Sequence, residues 1–126
     1  MTGANGVCAF AFSIPGVRLV NETNAREHWS ARSKRAHMQR SLARLYTLQA
    51  KRACSGFPEA PWNIVVERIG RNDLDDDNLA ASAKHIRDGV ADALGIDDGD
   101  QASARWSYRQ SRGPFGARVR FEPRGE

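Results

Sequence analysis

The stretch from Trp62 to Gly95 most constrains the fold of this chain, because a strand, a polar loop and a helix are predicted there in direct succession. Residues 62–69 are rich in β-branched side chains, which is typical of a strand. Residues 79–94 are predicted to form a helix that Asp77 or Asn78 caps and Gly95 follows. A strand joined to a helix by a short loop indicates a layered arrangement of sheet and helices.

The flanking segments complete a predicted order of β-α-β-α-β-β. Residues 7–13 alternate as a strand, residues 17–24 form a loop, and a long basic helix extends from about Ala25 to Cys54. Two strands of a hairpin are expected at 101–110 and 117–121, joined by a turn at 111–116. The whole chain, 1–126, is predicted to be one α+β domain in which a small mixed sheet packs with two main helices. The buried stripe of the basic helix is expected to comprise Trp29, Ala36, Leu42, Leu45, Tyr46 and Leu48.

Composition indicates the cellular surroundings of this chain. The two cysteines, Cys8 and Cys54, imply no disulfide framework, so we expect a reducing cytoplasm. No stretch approaches the roughly 20 apolar residues of a membrane span, and no membrane partner is expected. The net charge of +4 is compatible with a polyanionic partner.

Carboxylates are concentrated in one region of this basic chain. Residues 73–100 contain nine of the fifteen acidic residues. Like charges at short range disfavour each other's ionisation, and a divalent cation such as Mg²⁺, which prefers carboxylate oxygens, removes that cost. In an extended segment Asp73, Asp75 and Asp77 would point to one side, with successive side chains about 6.5–7 Å apart. The alternative is a solvated loop with a helix cap.

One type of metal loop is excluded by its last ligand. A calcium-binding EF-hand loop that began at Asp73 would have Lys84 at position twelve, where a bidentate Glu is required. An ammonium group there would lie against the cation, so the acidic segment is not an EF-hand.

One pattern combines the run Asp75-Asp76-Asp77-Asn78-Leu79 with Lys84, with Asp88 and with the later run Ile96-Asp97-Asp98. This pattern resembles the active site of RusA-type Holliday-junction resolvases, which are small phage-derived endonucleases. The resemblance extends over residues 10–122 and identifies the chain as one RusA-like endonuclease domain. It implies a Mg²⁺-dependent homodimer, in which Mn²⁺ also serves, that cuts four-way or otherwise branched double-stranded DNA.

The resemblance also implies a role for individual residues. Asp75, Asp77 and Asp98 would be the catalytic carboxylates and would hold the metal together with Asp97, while Asp88 would assist. Lys84 would stabilise charge on the phosphate. It lies six residues after Asn78, whereas the lysine of the family's type member lies three residues after its asparagine. A second register, with Asp73 and Asp75 as the leading pair, stays open.

The length of the second helix raises a geometric question. An unbroken helix over 79–94 would be about 24 Å long and would carry Asp97 and Asp98 away from Asp75. A break near Gly89, a chain that folds back along the helix, or a dimer interface would each bring the carboxylates together.

Basic segments flank the acidic region on both sides. Residues 25–52 carry eight Lys or Arg against one acidic residue, and the C-terminal region adds six more Arg. Such residues bind phosphates with salt-sensitive, largely sequence-independent affinity, although a solvated helix face is the alternative. Phe115 is a candidate for insertion into a junction. The predicted DNA contacts are Arg26, Arg32, Lys34, Arg35, Arg40, Arg71 and Arg112.

Two other functions are compatible with these features. A relative of the nucleases that binds branched DNA without cutting it would keep the basic surface and lose the reaction. An interaction protein would use the acidic region to bind a basic partner, and would not bind junction DNA.

Overall fold

The computed structural model describes residues 10–20 and 29–124. The predicted α+β class is confirmed, and the predicted order is kept except that two helices replace the single helix over 79–94. The first strand is described from Phe10 onwards, and residues 7–9 and 25–28 of the predicted elements lie outside the described ranges. The elements are β1 (Phe10–Pro15), α1 (Trp29–Ala53), β2 (Trp62–Gly70), α2 (Asp76–Ser82), α3 (Lys84–Leu94), β3 (Ala104–Arg112) and β4 (Gly116–Pro123).

The four described strands form one mixed sheet in the order β1-β4-β2-β3. Strand β2 pairs in parallel with β3 and antiparallel with β4, which pairs antiparallel with β1. The predicted hairpin is therefore wrong, because β2 lies between β3 and β4. The link between β3 and β4 passes over the end of β2, where Gly113 N donates to Gly70 O at 2.9 Å. A central β2 has its backbone groups paired on both edges, which a hairpin of β3 and β4 would not provide.

The hydrophobic core lies on one face of the sheet, under helices α1 and α3. Alternate residues of β2 are buried, and Ile64 and Val66 share the core with Phe121 of β4 and with Ile86 and Val90 of α3. The opposite face of the sheet carries exposed arginines and serines of β3 and β4. This alternation is the pattern of a sheet that is covered on one side only.

The predicted buried stripe of α1 is only partly confirmed, because Leu42 and Tyr46 pack half-buried against the core whereas two of its members are exposed. Trp29 is 73% exposed and Leu45 is 49% exposed. The buried positions are small or polar residues: Gln39, Ala43, Thr47 and Ala50. The small side chain of Ala43 allows α3 to approach closely, and a Cβ added at Gly89 would lie 2.2 Å from the backbone oxygen of Arg40.

The predicted second helix is divided at Ala83 and not at Gly89. Ser82 Oγ donates to Leu79 O at 2.7 Å, and a side-chain bond of this kind competes with the backbone ladder. Gly89 lies inside α3 at a point where the helix approaches α1 closely. The N-cap is Asp75, not Asp77 or Asn78, whereas Gly95 ends α3 with a φ of 71° as expected for a left-handed C-cap.

Candidate functional site

Three loops meet where the parallel strands β2 and β3 end, and we call this region the carboxyl edge. It comprises residues 16–20, 71–77 and 112–115, which are the three loops together with the last residue of β3 and the first two residues of α2. Gly70 and Arg112 are register partners at the ends of the two strands. Gly16 N donates to Phe115 O at 2.9 Å, which joins the first loop to the third. The acidic loop 71–75 therefore lies beside two other loops of fixed position.

Two polar side chains from inward-facing strand positions hold the acidic loop. Arg68 is only 5% exposed, and it donates to Leu19 O at 2.9 Å and to Asn72 O at 2.7 Å. Burial lowers the pKa of its guanidinium. Gln110 accepts from Leu74 N at 2.9 Å and donates to Leu74 O at 2.7 Å. The sequence analysis identified neither of these two residues. Arg68 could have been found, because it is a charged residue in the same alternation as the buried Ile64 and Val66.

The leading carboxylates differ in their surroundings. Asp73 forms an ion pair with Arg112, with Oδ2 3.4 Å from Nη2. Asp75 Oδ1 accepts from Asn78 N at 3.0 Å, so this carboxylate caps α2. Asp77 lies within the first helical turn, so the expected extended alignment of Asp73, Asp75 and Asp77 is wrong. The side chains of Asp75 and Asp77 remain exposed at the helix N-terminus, where negative charge is favourable.

Lys84 begins α3 and forms an ion pair with Asp88 one turn later. The distance from Lys84 Nζ to Asp88 Oδ2 is 3.1 Å, and 65% of the lysine side chain is exposed. The resemblance gives Lys84 a role at the phosphate and Asp88 an assisting role at the metal, but in the structure these two side chains form an ion pair with each other.

The later carboxylates lie in the turn between α3 and β3. Asp97 Oδ1 accepts from Gly99 N at 3.0 Å. A hydrogen bond from Ser103 lowers the pKa of Asp100. Asp98 Oδ2 lies 3.2 Å from Nε of Arg87, which also donates to the Asp98 backbone oxygen at 2.6 Å. Asp98 is therefore held by a cation rather than free to bind one.

Arg87 is a further residue that the sequence analysis did not identify, because its role depends on contacts with strand β3. Its guanidinium lies 4.9 Å from the centre of the Trp106 ring and donates to the Tyr108 hydroxyl at 2.7 Å. These contacts fix Arg87 against the middle of β3, and with it the position of Asp98.

An acidic cleft of about 170 Å³ lies between α1, α3 and the turn that follows α3. Arg40 of α1 donates to both carboxylate oxygens of Asp92, at 2.6 and 2.9 Å. This pair lowers the pKa of Asp92 and raises that of Arg40. The acidic residues that line the cleft are Asp88, Asp92, Asp97 and Asp98.

The described carboxylates do not fit a bound Mg²⁺ ion as they are arranged. Carboxylate oxygens are the donors that Mg²⁺ prefers. Across residues 10–20 and 29–124, however, no group of three or more His, Cys, Asp or Glu side chains is placed so that it could hold a metal. Asp75 and Asp77 lie at the start of α2, whereas Asp97 and Asp98 follow the end of α3, and the break at Ala83 does not unite them as one ligand set.

The predicted DNA contacts fall into two groups, and Arg26 lies outside the described residues. The first group, Arg32, Lys34, Arg35 and Arg40, lies on α1. The second, Arg71 and Arg112, lies at the carboxyl edge, where the two residues line a cavity of about 480 Å³.

The Phe115 ring contacts two of the arginines at the carboxyl edge. Phe115 is half-buried, and the guanidinium carbons of Arg18 and Arg71 lie 4.9 and 5.6 Å from its ring centre. Arg18 was not among the predicted contacts. Phe115 is thus a platform for two cations instead of a fully exposed wedge.

Comparison with known proteins assigns no family to this chain. No family model matches it. It is similar to an uncharacterized protein from Xylella fastidiosa (strain Temecula1 / ATCC 700964), with 41% identity over an alignment of 87 positions that covers 60% of this chain. The aligned region spans about half of that relative, 51% of its length. Among the described residues, no helix has both the length and the hydrophobicity needed to cross a membrane.

Proposed function

We propose that this chain is an endodeoxyribonuclease that hydrolyses phosphodiester bonds in four-way or branched DNA. The observation that carries the proposal is the composition of the carboxyl edge. Arg18 and Arg71 lie over the Phe115 ring, Arg112 pairs with Asp73, and the loop that contains Arg71 and Asp73 leads directly to the exposed carboxylates of Asp75 and Asp77 at the start of α2. Guanidinium groups bind phosphates strongly, and carboxylates beside a bound phosphate can position or activate water. The resemblance to RusA-type resolvases supports the same reaction.

The geometry supports distinct roles for the residues of the carboxyl edge. Arg18, Arg71 and Arg112 would bind backbone phosphates, and Arg112 would exchange Asp73 for a phosphate when DNA binds. Asp75, at the end of the loop that Arg68 and Gln110 keep in place, and Asp77, in the first turn of α2, would position or activate water at the reacting phosphate. Loop residues held by buried hydrogen bonds need little reordering at the moment of reaction.

The homodimer and the metal are separate parts of the proposal. Twofold symmetry would place two equal sites on two arms of a junction. The need for Mg²⁺, with Mn²⁺ as a substitute, stays a prediction from the resemblance.

The reducing cytoplasm predicted from the cysteine content is the compartment that suits this activity.

A labelled four-way junction incubated with Mg²⁺, with Mn²⁺ or with EDTA tests the activity. We expect D75N and D77N each to lower cleavage by at least about 100-fold, since a catalytic carboxylate typically contributes about 10²–10⁴-fold. Junction affinity should be retained. Asn caps a helix as well as Asp does, so D75N separates the reaction from the fold.

The matched control is D76N, which removes an exposed carboxylate from the same helical turn. It should cut at close to the wild-type rate. Equal losses in all three variants would mean that charge alone matters, and wild-type activity in D75N or D77N would remove that residue from the site.

A DNA-binding protein that does not cut is the second candidate. It is favoured by the ion pairs that already occupy Asp73, Asp88, Asp92 and Asp98. Junction binding without nicks under every metal condition would establish this candidate over the first.

A further inference from the structure

The face of the sheet opposite the helices, which we call the open face, carries a group of arginines. Arg105 and Arg109 project from β3, and Arg118 and Arg120 project from β4. All four are exposed; those of β4 alternate with buried residues, and those of β3 alternate with buried or half-buried ones. None of them is among the DNA contacts predicted individually from the sequence.

The register of the sheet places two of these arginines in one row. Glu67 of β2 is opposite Arg109 on one side and opposite Arg118 on the other. Because neighbouring strands are about 4.8 Å apart, the backbones of the two arginines are about 10 Å apart. A depression of about 400 Å³ lies on this face, and its charged lining comprises three arginines and two glutamates: Arg109, Arg118, Arg120, Glu67 and Glu122.

Most of the positive charge on the open face has no partner. Arg120 is paired with Glu122, with Nε 2.6 Å from Oε2. Within the described residues, no hydrogen bond or ion pair engages the side chains of Arg105, Arg109 or Arg118. On the helix side, Arg40 and Arg87 are paired with aspartates, whereas Arg44 and Arg52 of α1 are exposed and, among the described residues, have no ion pair; the open face differs in that its unpaired arginines lie in neighbouring strands around one depression. Repulsion among unpaired cations costs stability, and an anionic partner would relieve it.

We propose that the open face binds the phosphates of a duplex DNA arm, separately from the carboxyl edge. The inference rests on the proposed function for the identity of the polyanion, while the excess of unpaired arginines rests on the structure. Arginine is suited to phosphate because its planar fork donates two parallel hydrogen bonds. An arm on the open face and another at the carboxyl edge would together favour branched over linear DNA.

The test compares two double variants by fluorescence anisotropy in EDTA, so that cleavage plays no part. R109Q/R118Q removes two charges from the open face. R44Q/R52Q removes two exposed charges from α1, on the other side of the sheet. The ligands are a four-way junction and a linear duplex of the same total length, each titrated at several salt concentrations.

We expect R109Q/R118Q to weaken junction binding by about tenfold or more and to reduce the salt slope by about 2, because each lost phosphate contact removes about 0.9 from that slope. The preference for the junction over the duplex should shrink. R44Q/R52Q should change both quantities much less. E67Q, which removes the carboxylate between the two arginines, should tighten binding severalfold.

Several results would overturn the inference. Equal losses in the two double variants would show that binding follows net charge and not this face. Unchanged DNA binding together with loss of self-association in R109Q/R118Q would assign the face to a second copy of the chain. Absence of cleavage by the wild type would sink the nuclease proposal alone, since the binding comparison does not depend on it.

Discussion

At the scale of single residues, the candidate site is built by polar side chains that do not contact the proposed substrate. Arg68 and Gln110 occupy inward-facing strand positions, and their side chains form hydrogen bonds with backbone groups in the loops of the carboxyl edge. Buried polar groups are tolerated only when they are bonded in this way. The position of the acidic loop therefore depends on side chains that belong to the sheet.

Replacement of Gln110 by Leu tests this dependence. The change leaves the N–H and C=O of Leu74 without their partner, so we expect a loss of about 1–2 kcal/mol in the free energy of unfolding. Urea unfolding measures it, with Q49L on the exposed face of α1 as the control. A value equal to that of Q49L would show that Gln110 does not hold the loop.

The pair of Arg40 and Asp92 predicts a dependence on pH. The pKa of Asp92 is lowered in the folded chain by the hydrogen bond and charge of Arg40, so the pair contributes stability above the unfolded pKa of about 3.9. That contribution is lost as the pH falls through the folded pKa. Because both side chains are partly exposed, D92N should cost less than about 1 kcal/mol at neutral pH. The difference from wild type should vanish in acid, and a constant difference would refute the assignment.

At the scale of elements, the packing of α1 on α3 decides where the helices lie and break. Gly89 is required by close approach, because the backbone of Arg40 occupies the space of a Cβ. Gly95 is required by conformation, because its φ of 71° is left-handed and its surroundings are open. Glycine is therefore needed at position 89 for lack of space and at position 95 for its backbone conformation.

Alanine at each position separates these reasons. G89A forces α1 and α3 apart, and we expect a cost of about 1–3 kcal/mol, with the upper end favoured by the severe overlap. G95A meets no atom and should cost about 1–2 kcal/mol from left-handed strain. Thermal unfolding of both variants checks the order, and a cost for G95A above that of G89A would contradict the packing argument.

At the scale of the whole molecule, the aspartates of the acidic region are divided between residues 73–77, at the start of α2, and residues 88–100, in α3 and the turn after it. Asp98 is engaged by Arg87, and Asp88 is engaged by Lys84. A twofold assembly is the arrangement that the proposed function calls for, because a four-way junction offers equivalent arms.

Sedimentation equilibrium tests that assembly. We expect a species of twice the mass of the chain at micromolar concentrations, without DNA and in EDTA. Addition of junction DNA should yield one dimer per junction. A monomer that remains monomeric when bound to the junction would remove the symmetric part of the proposal.

The sequence alone determined the α+β class, the strand at β2 and the left-handed end of α3, because each depends on local preference and alternation. It did not determine that β2 separates β3 from β4, since both pairings satisfy the same alternation and only burial of the whole sheet chooses between them. The sequence alone also did not reveal the buried face of α1. Large apolar residues were expected there, but the close contact with α3 at Gly89 requires a small residue such as Ala43. The acidic motif was visible along the chain. Which carboxylates have cations as partners was decided by residues distant in sequence, Arg40 and Arg112, and by an Arg87 that β3 holds in place.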